Sequence, residues 1–154
     1  MVGFIFIIRK FSLNGANLST PQRTVLQIRV IGLPEPQARP RVFKIHGRTI
    51  AHSPKTNWFG IVYGQALAAR PIEPIDEAVN LMVLFVYPRP KHSKPNVDFK
   101  STRPDLDNLI KSIKDALTQA RWWTDDGRVA VMTVAKRYTR GTEAAGAIIF
   151  VETI

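Results

Sequence analysis

The segment STRPDLDNLIKSIKDALTQARWWTDDG, Ser101 to Gly127, constrains the fold more than any other stretch. Stepped at about 100° per residue, Leu106, Leu109, Ile110, Ile113, Ala116, Leu117 and Ala120 share one broad arc. Asp107, Lys111, Lys114, Asp115 and Thr118 share the other. A helix over Asp107 to Ala120 with this pattern must lay its apolar arc on a sheet. The sequence supplies one. Arg23 to Gly32 alternates apolar and polar residues and reads as a strand with Val25, Ile28 and Val30 inward. Ala78 to Tyr87 is rich in β-branched and aromatic residues and reads as a central strand. GRVAVMTVAKRY reads as a strand leaving the helix, and AIIFVETI as a last strand paired with it across TRGTEAAG.

The remaining elements fill in around these. VFKIHGRTIA reads as a short hairpin turning at His46-Gly47. PKTNWFGIVYGQALAAR reads as a helix starting near Pro54, with Trp58, Val62, Gln65, Ala66 and Ala69 at helical spacing and Gly60 and Gly64 weakening it. Two proline-rich stretches, LPEPQARPR and PRPKHSKPNVDFKSTRP, forbid regular structure and read as loops. No repeat or heptad is visible. The expectation is an α+β domain over residues 23–154, a mixed or mostly antiparallel sheet with two main helices packed on it. Residues 1–22 read as an N-terminal extension, either an edge strand or a disordered segment. Its apolar run is too short to cross a bilayer, and Arg9 and Lys10 follow that run instead of preceding it, unlike a signal peptide.

Composition narrows the function. The chain has 22 Lys and Arg against 12 Asp and Glu, a formal charge of +10. Such a surface attracts polyanions, and with no long basic amphipathic helix the expected polyanion is nucleic acid, not a membrane. There is no cysteine, which excludes disulfides, thiolate zinc sites and cysteine nucleophiles and suits a reducing compartment. His46, His52 and His92 have no mutual metal spacing.

Against this basic background, five of the twelve acids stand between Ser101 and Gly127. Each has an ordinary explanation. Asp105 or Asp107 can cap the helix. Asp107, Lys111 and Asp115 can form a surface ion-pair ladder. Asp125 and Asp126 can make a turn before Gly127. Together they suggest more. If the following strand returns beside the helix entrance, Asp105, Asp107 and one of Asp125 and Asp126 converge. Three carboxylates at close range need a cation, and oxygen ligands select Mg²⁺ or Mn²⁺. A metal pocket ringed by lysine and arginine suits a phosphodiester. Arg39 and Arg41, with Arg89, Lys91, Lys94, Lys100 and Arg103 of the loop running into Asp105, are the expected DNA-phosphate contacts. Of Trp122 and Trp123, one is expected in the core and one over the helix end, and Phe99 is the candidate wedge at a junction.

RPDLDNLIKSIKDAL followed by WWTDDGRV resembles the RusA family of Holliday-junction resolvases, and VIGLPEPQARPR is similar to that family's proline-rich opening. The resemblance spans roughly Val25 to Ile154. It implies a RusA-like fold and a homodimeric, Mg²⁺-dependent endonuclease that cuts four-way DNA junctions by paired nicks, in the cytoplasm of a bacterium or encoded by its phage. Carried over by position, it implies Asp105, Asp107 and Asp126 as metal carboxylates, with Asp125 secondary, and Lys111 at the scissile phosphate. Asp115 also matches, serving either metal or fold, and Asn108 matches, either orienting a carboxylate or capping the helix. Arg128 stands where the family has an uncharged polar residue. Two other readings share these residues: a non-catalytic junction binder, and a less selective nuclease acting on flaps or RNA–DNA hybrids.

Overall fold

The computed structural model describes residues 24–38, 41–52, 54–92 and 97–154, with no side-chain description at 41, 51 and 52. The expected extension, Arg39, Lys94 and the side chains of Arg41 and His52 lie outside the described residues. The elements run β1 (Val25–Ile31), β2 (Arg41–Ile45), β3 (Arg48–His52), α1 (Asn57–Ala69), β4 (Val79–Tyr87), α2 (Leu106–Gln119), a 3₁₀ turn (Asp126–Arg128), β5 (Val129–Tyr138) and β6 (Gly146–Thr153). β2 and β3 form a separate antiparallel ribbon that turns at His46 and Gly47, with φ of 48° and 76°. These left-handed values suit glycine, and histidine tolerates them better than most residues.

The main sheet has the order β1-β6-β4-β5 and is mixed: β6 is antiparallel to β1 and β4, whereas β4 and β5 are parallel. The expected final hairpin does not form, because β6 pairs with β1 and β4 and not with β5. The reason lies in α2. A chain that leaves β4 and returns through a crossover helix enters the sheet in its original direction, which puts β5 parallel at the edge. The turn after β5 then passes the end of β4, where Thr139 N–H donates to the Tyr87 carbonyl at 2.8 Å. β6 slots into the gap between β4 and β1. Gly146 begins it where the Val30 carbonyl occupies the space a Cβ would need, so only glycine fits this approach.

The two helices meet each other over the sheet, and one core joins them. From α2 it takes Leu109, Ile110, Ile113, Ala116 and Leu117; from α1, Trp58, Phe59, Val62, Ala66 and Ala69. Gln65, expected at helical spacing, is exposed, and Phe59 takes the inward place. In β1 the buried set is Leu26, Ile28 and Val30, with Val25 only half-buried. β4 is the buried central strand expected of its composition. Both tryptophans are core: Trp122 donates to the Ala66 carbonyl and Trp123 to Thr118 Oγ1, each at 2.8 Å. Among the described residues no helix is long and apolar enough to cross a membrane.

Beyond β5 the chain is locked by charge. Arg137 grips Glu143 through two hydrogen bonds of 2.6 and 2.8 Å, and the hydrogen bond to Arg137 is the main cause holding the Glu143 carboxyl below its ordinary pKa. A depressed carboxylate pKa stabilises the fold above the ordinary carboxylate range, and that contribution is lost as pH falls through it. Glu143→Gln is therefore expected to lose about 2 kcal/mol at neutral pH. The gap from wild type in urea unfolding should shrink on acidification below about pH 4. A gap independent of pH would contradict the assignment.

Candidate functional site

The basic loop ends at α2, and the chain secures that junction from behind. The Arg103-Pro104 peptide is cis. Lys136, from the edge strand β5, donates to the carbonyls of Thr102 and Pro104 at 2.7 and 2.6 Å. Burial, and then the neighbouring Lys100, lower the Lys136 pKa, while Asp105 acts in the opposite direction. The segment before it also docks on β5, with Lys100 N–H on the Lys136 carbonyl and Tyr138 N–H on the Asp98 carbonyl. Lys136 had no motif to mark it. It stands beside Arg137 near the end of a mostly apolar strand, a pairing that says nothing of its role.

Asp105 occupies the N-cap position of α2, yet its carboxylate makes no capping hydrogen bond. Asp107 lies in the first turn and Lys111 one turn on; all three side chains are exposed. The expected ladder from Asp107 through Lys111 to Asp115 is absent from the ion pairs of the described residues. Asp115 Oδ2 instead accepts from Gln37 Nε2 at 2.8 Å. The helix entrance thus presents two carboxylates and a lysine that the fold does not consume.

The two acids after the tryptophans divide. Asp125 caps the 3₁₀ turn, accepting from Gly127 N–H at 2.8 Å, so it serves the turn. Asp126 faces α2, with Oδ2 3.9 Å from Lys114 Nζ and the carboxylate 62% exposed. Asp107, Lys111 and Lys114 follow one another at helical spacings of four and three, so Asp126 reaches their side of the helix. Lys114 nevertheless lies about 10 Å along the axis past Asp107. Among the described residues no group of three or more His, Asp or Glu gathers at metal-binding range. Arg128 pairs with Asp76 at 2.6 Å and ties the 3₁₀ turn to the segment before β4.

The basic residues divide in the same way. Lys91 and Arg103 are exposed. Arg89 is half-buried, bonded to the Val97 carbonyl at 2.9 Å and 3.5 Å from Asp98, and its guanidinium lies over Tyr138. Lys100 sits over the Tyr87 and Tyr138 rings. Phe99 is 68% exposed. Tyr87, whose phenol burial pushes well above its ordinary pKa, donates to the Pro34 carbonyl and anchors the proline-rich loop after β1.

Residues 32–149 match the family described as Endodeoxyribonuclease RusA. The chain belongs to the RusA family. A Lactococcus phage r1t protein, "Crossover junction endodeoxyribonuclease rusA", is 29% identical over 107 residues, covering 68% of this chain and 80% of its own length. "Uncharacterized protein YqaN" of Bacillus subtilis (strain 168) is 29% identical over 126 residues, covering 74% of this chain and 88% of its own. The α+β fold, with two helices on a mixed sheet, is consistent with a RusA-like architecture, and the family assignment makes this chain an endodeoxyribonuclease.

The unspent cap makes a direct prediction. Asp105→Ala should cost well under the ~1 kcal/mol typical of a lost N-cap, read from urea unfolding. A full capping loss would mean the carboxylate serves the helix after all.

Proposed function

We propose that the chain is a Mg²⁺-dependent endonuclease that resolves four-way DNA junctions as a homodimer, making paired symmetric nicks in recombination and repair. It would act in the bacterial cytoplasm, encoded by a host or its prophage. The observation that carries this reading is the helix entrance: Asp105 occupies a cap position without capping and feels the neighbouring charge of Lys136, Asp107 follows it, and among the described residues neither carboxylate has a hydrogen bond or close ion pair. Mg²⁺ is held by one or two carboxylates together with water and substrate phosphate, so this pair fits it. Mn²⁺ suits the same oxygens. When bound, the ion supplies charge to the phosphorus centre and makes water a stronger nucleophile.

The chain's own groups then have distinct tasks. Asp105 and Asp107 hold the site. Asp126 is the proposed third carboxylate; its exposed contact with Lys114 is of a kind worth about 0–1 kcal/mol, so little opposes its release toward the metal. Asp125 stays with its turn. Lys111, one turn beyond Asp107, meets the non-bridging phosphate oxygens as negative charge grows there. A water oxygen adds to phosphorus, the P–O3′ bond breaks, and the departing 3′ oxygen takes a proton. Lys91 and Arg103, with Arg39, Arg41 and Lys94, hold flanking phosphates. Arg89 and Lys100 shape the loop that carries them. Two subunits place two such sites on opposing strands.

Cleavage of a synthetic four-way junction, a duplex and a flap, each with Mg²⁺ or EDTA, tests the reading. The junction should be cut, with Mg²⁺ only. Asp107→Asn should bind the junction and fail to cut it; normal turnover would remove Asp107 from the site. Lys111→Ala should lower turnover by about 10²–10³ with a smaller loss of affinity. Equal losses would make Lys111 a binding residue. Affinity should fall steeply with salt, and a flat response would contradict phosphate contacts as the main attraction.

A further inference from the structure

The β2–β3 ribbon joins no strand of the main sheet, and none of its described residues belongs to the core. Every residue from Val42 to Ile50 is exposed. In the observed register Phe43 stands opposite Ile50 and Ile45 opposite Arg48. Side chains alternate along a strand and cross-strand partners share a face. Phe43, Ile45, Arg48 and Ile50 therefore lie on one face, and Val42, Lys44 and Thr49 on the other. The first face holds three large apolar side chains in water, with Phe43, Ile45 and Ile50 at 48, 51 and 48% exposure. A two-stranded ribbon with no packed face is marginal in water, and a contiguous exposed apolar cluster marks a contact surface.

Charge and placement choose the partner. No acid stands between Glu35 and Glu73, whereas Arg39, Arg41, Lys44, Arg48, Lys55 and Arg70 all fall in that stretch. A ribbon that is basic throughout suits a polyanion and is repelled by a second copy of a chain with a formal charge of +10. Its two legs are tied to the helix of the candidate site. On the way in, Gln37 N–H donates to the Asn108 carbonyl at 3.1 Å and Gln37 Nε2 to Asp115 Oδ2 at 2.8 Å. On the way out, Lys55 Nζ donates to Gln119 Oε1 at 2.9 Å. All three acceptors belong to α2, which also carries Asp107 and Lys111. Each strand has five residues, a reach of about 16 Å, so the ribbon stays within range of DNA held at that helix.

We propose that the ribbon is a DNA arm that recognises the branch point of a junction. Phe43, Ile45 and Ile50 cover the faces of unstacked bases, and Lys44 and Arg48 hold the phosphates beside them. Phosphates alone would call for no apolar face. A paired duplex hides the faces of its bases and offers apolar contact in the major groove chiefly at thymine methyl groups. A branch point leaves base faces that aromatic and aliphatic side chains can cover. The inference rests on the nuclease reading and adds to it the element that tells a junction from a duplex.

Fluorescence anisotropy of the full chain with a labelled four-way junction, and with a duplex of the same arm sequence, tests this in EDTA without cleavage. Phe43→Ser combined with Ile45→Ser should weaken junction binding by about tenfold or more, with a much smaller loss on the duplex. Equal losses on the two, or no loss, overturn the proposal. Lys44→Gln combined with Arg48→Gln should weaken both and reduce the slope of log affinity against log salt by about two. An unchanged slope would take these residues off the phosphates and overturn the arm. Urea unfolding of the apolar variant should match the wild type, because the ribbon lies outside the core. A lowered midpoint would assign these side chains to the fold instead. Sedimentation should give variant and wild type the same subunit number, and a variant that dissociates would make the ribbon a subunit contact and overturn the proposal. If the wild type binds no junction, this inference and the nuclease reading fail together. If the apolar variant binds and, with Mg²⁺, cuts the junction as the wild type does, the arm falls and the nuclease reading stands.

Discussion

The burial of one arc of α2 governs everything else in this molecule. Leu109, Ile113, Ala116 and Leu117 are fully enclosed, and the helix cannot rotate without dragging charge into that core. Asp107, Lys111 and Lys114 are therefore fixed toward solvent along one stripe. At the helix entrance Lys136 holds the backbone just before Asp105 from behind, so the carboxylates extend from a rigid edge. Sites built on such edges keep their geometry better than sites on free loops.

The sequence made α2 legible because its apolar period is strong, and its acids legible because they stand out in a basic chain. The strand at β4, the hairpin turn and the two-helix α+β layout followed from equally local signals. Sheet order did not. A seven-residue connection from 139 to 145 reads as a hairpin loop, and only the parallel return through α2 shows that β5 is an edge with no room for β6 on its inner side. Strand order is a long-range property, and local pattern says little about it.

The candidate site divides along the same line. The spacing of Asp105, Asp107 and Lys111 is set within one helix, so sequence reaches it directly. Whether Asp105 caps, whether Lys111 pairs, and where Asp126 points depend on chain segments far apart. The structure answers by leaving Asp105 uncapped, binding Asp115 to Gln37 and setting Asp126 beside Lys114. Lys136 and Gln37 escaped sequence reading for the same reason. Each takes its meaning from a partner in space: two carbonyls for Lys136, and the Asp115 carboxylate for Gln37. Arg128 and the tryptophan pair are spent on the fold: Arg128 ties the 3₁₀ turn to Asp76, and both tryptophans fill the core, where only one was expected.

Whether a divalent ion settles at the mouth of α2 can be read without DNA. A titration of the chain with Mn²⁺, followed by electron paramagnetic resonance, reports bound ion directly. Binding should weaken sharply on replacing either Asp105 or Asp107 with asparagine and change little for Asp125→Asn. Binding that is unaffected by both of the first two substitutions would contradict it.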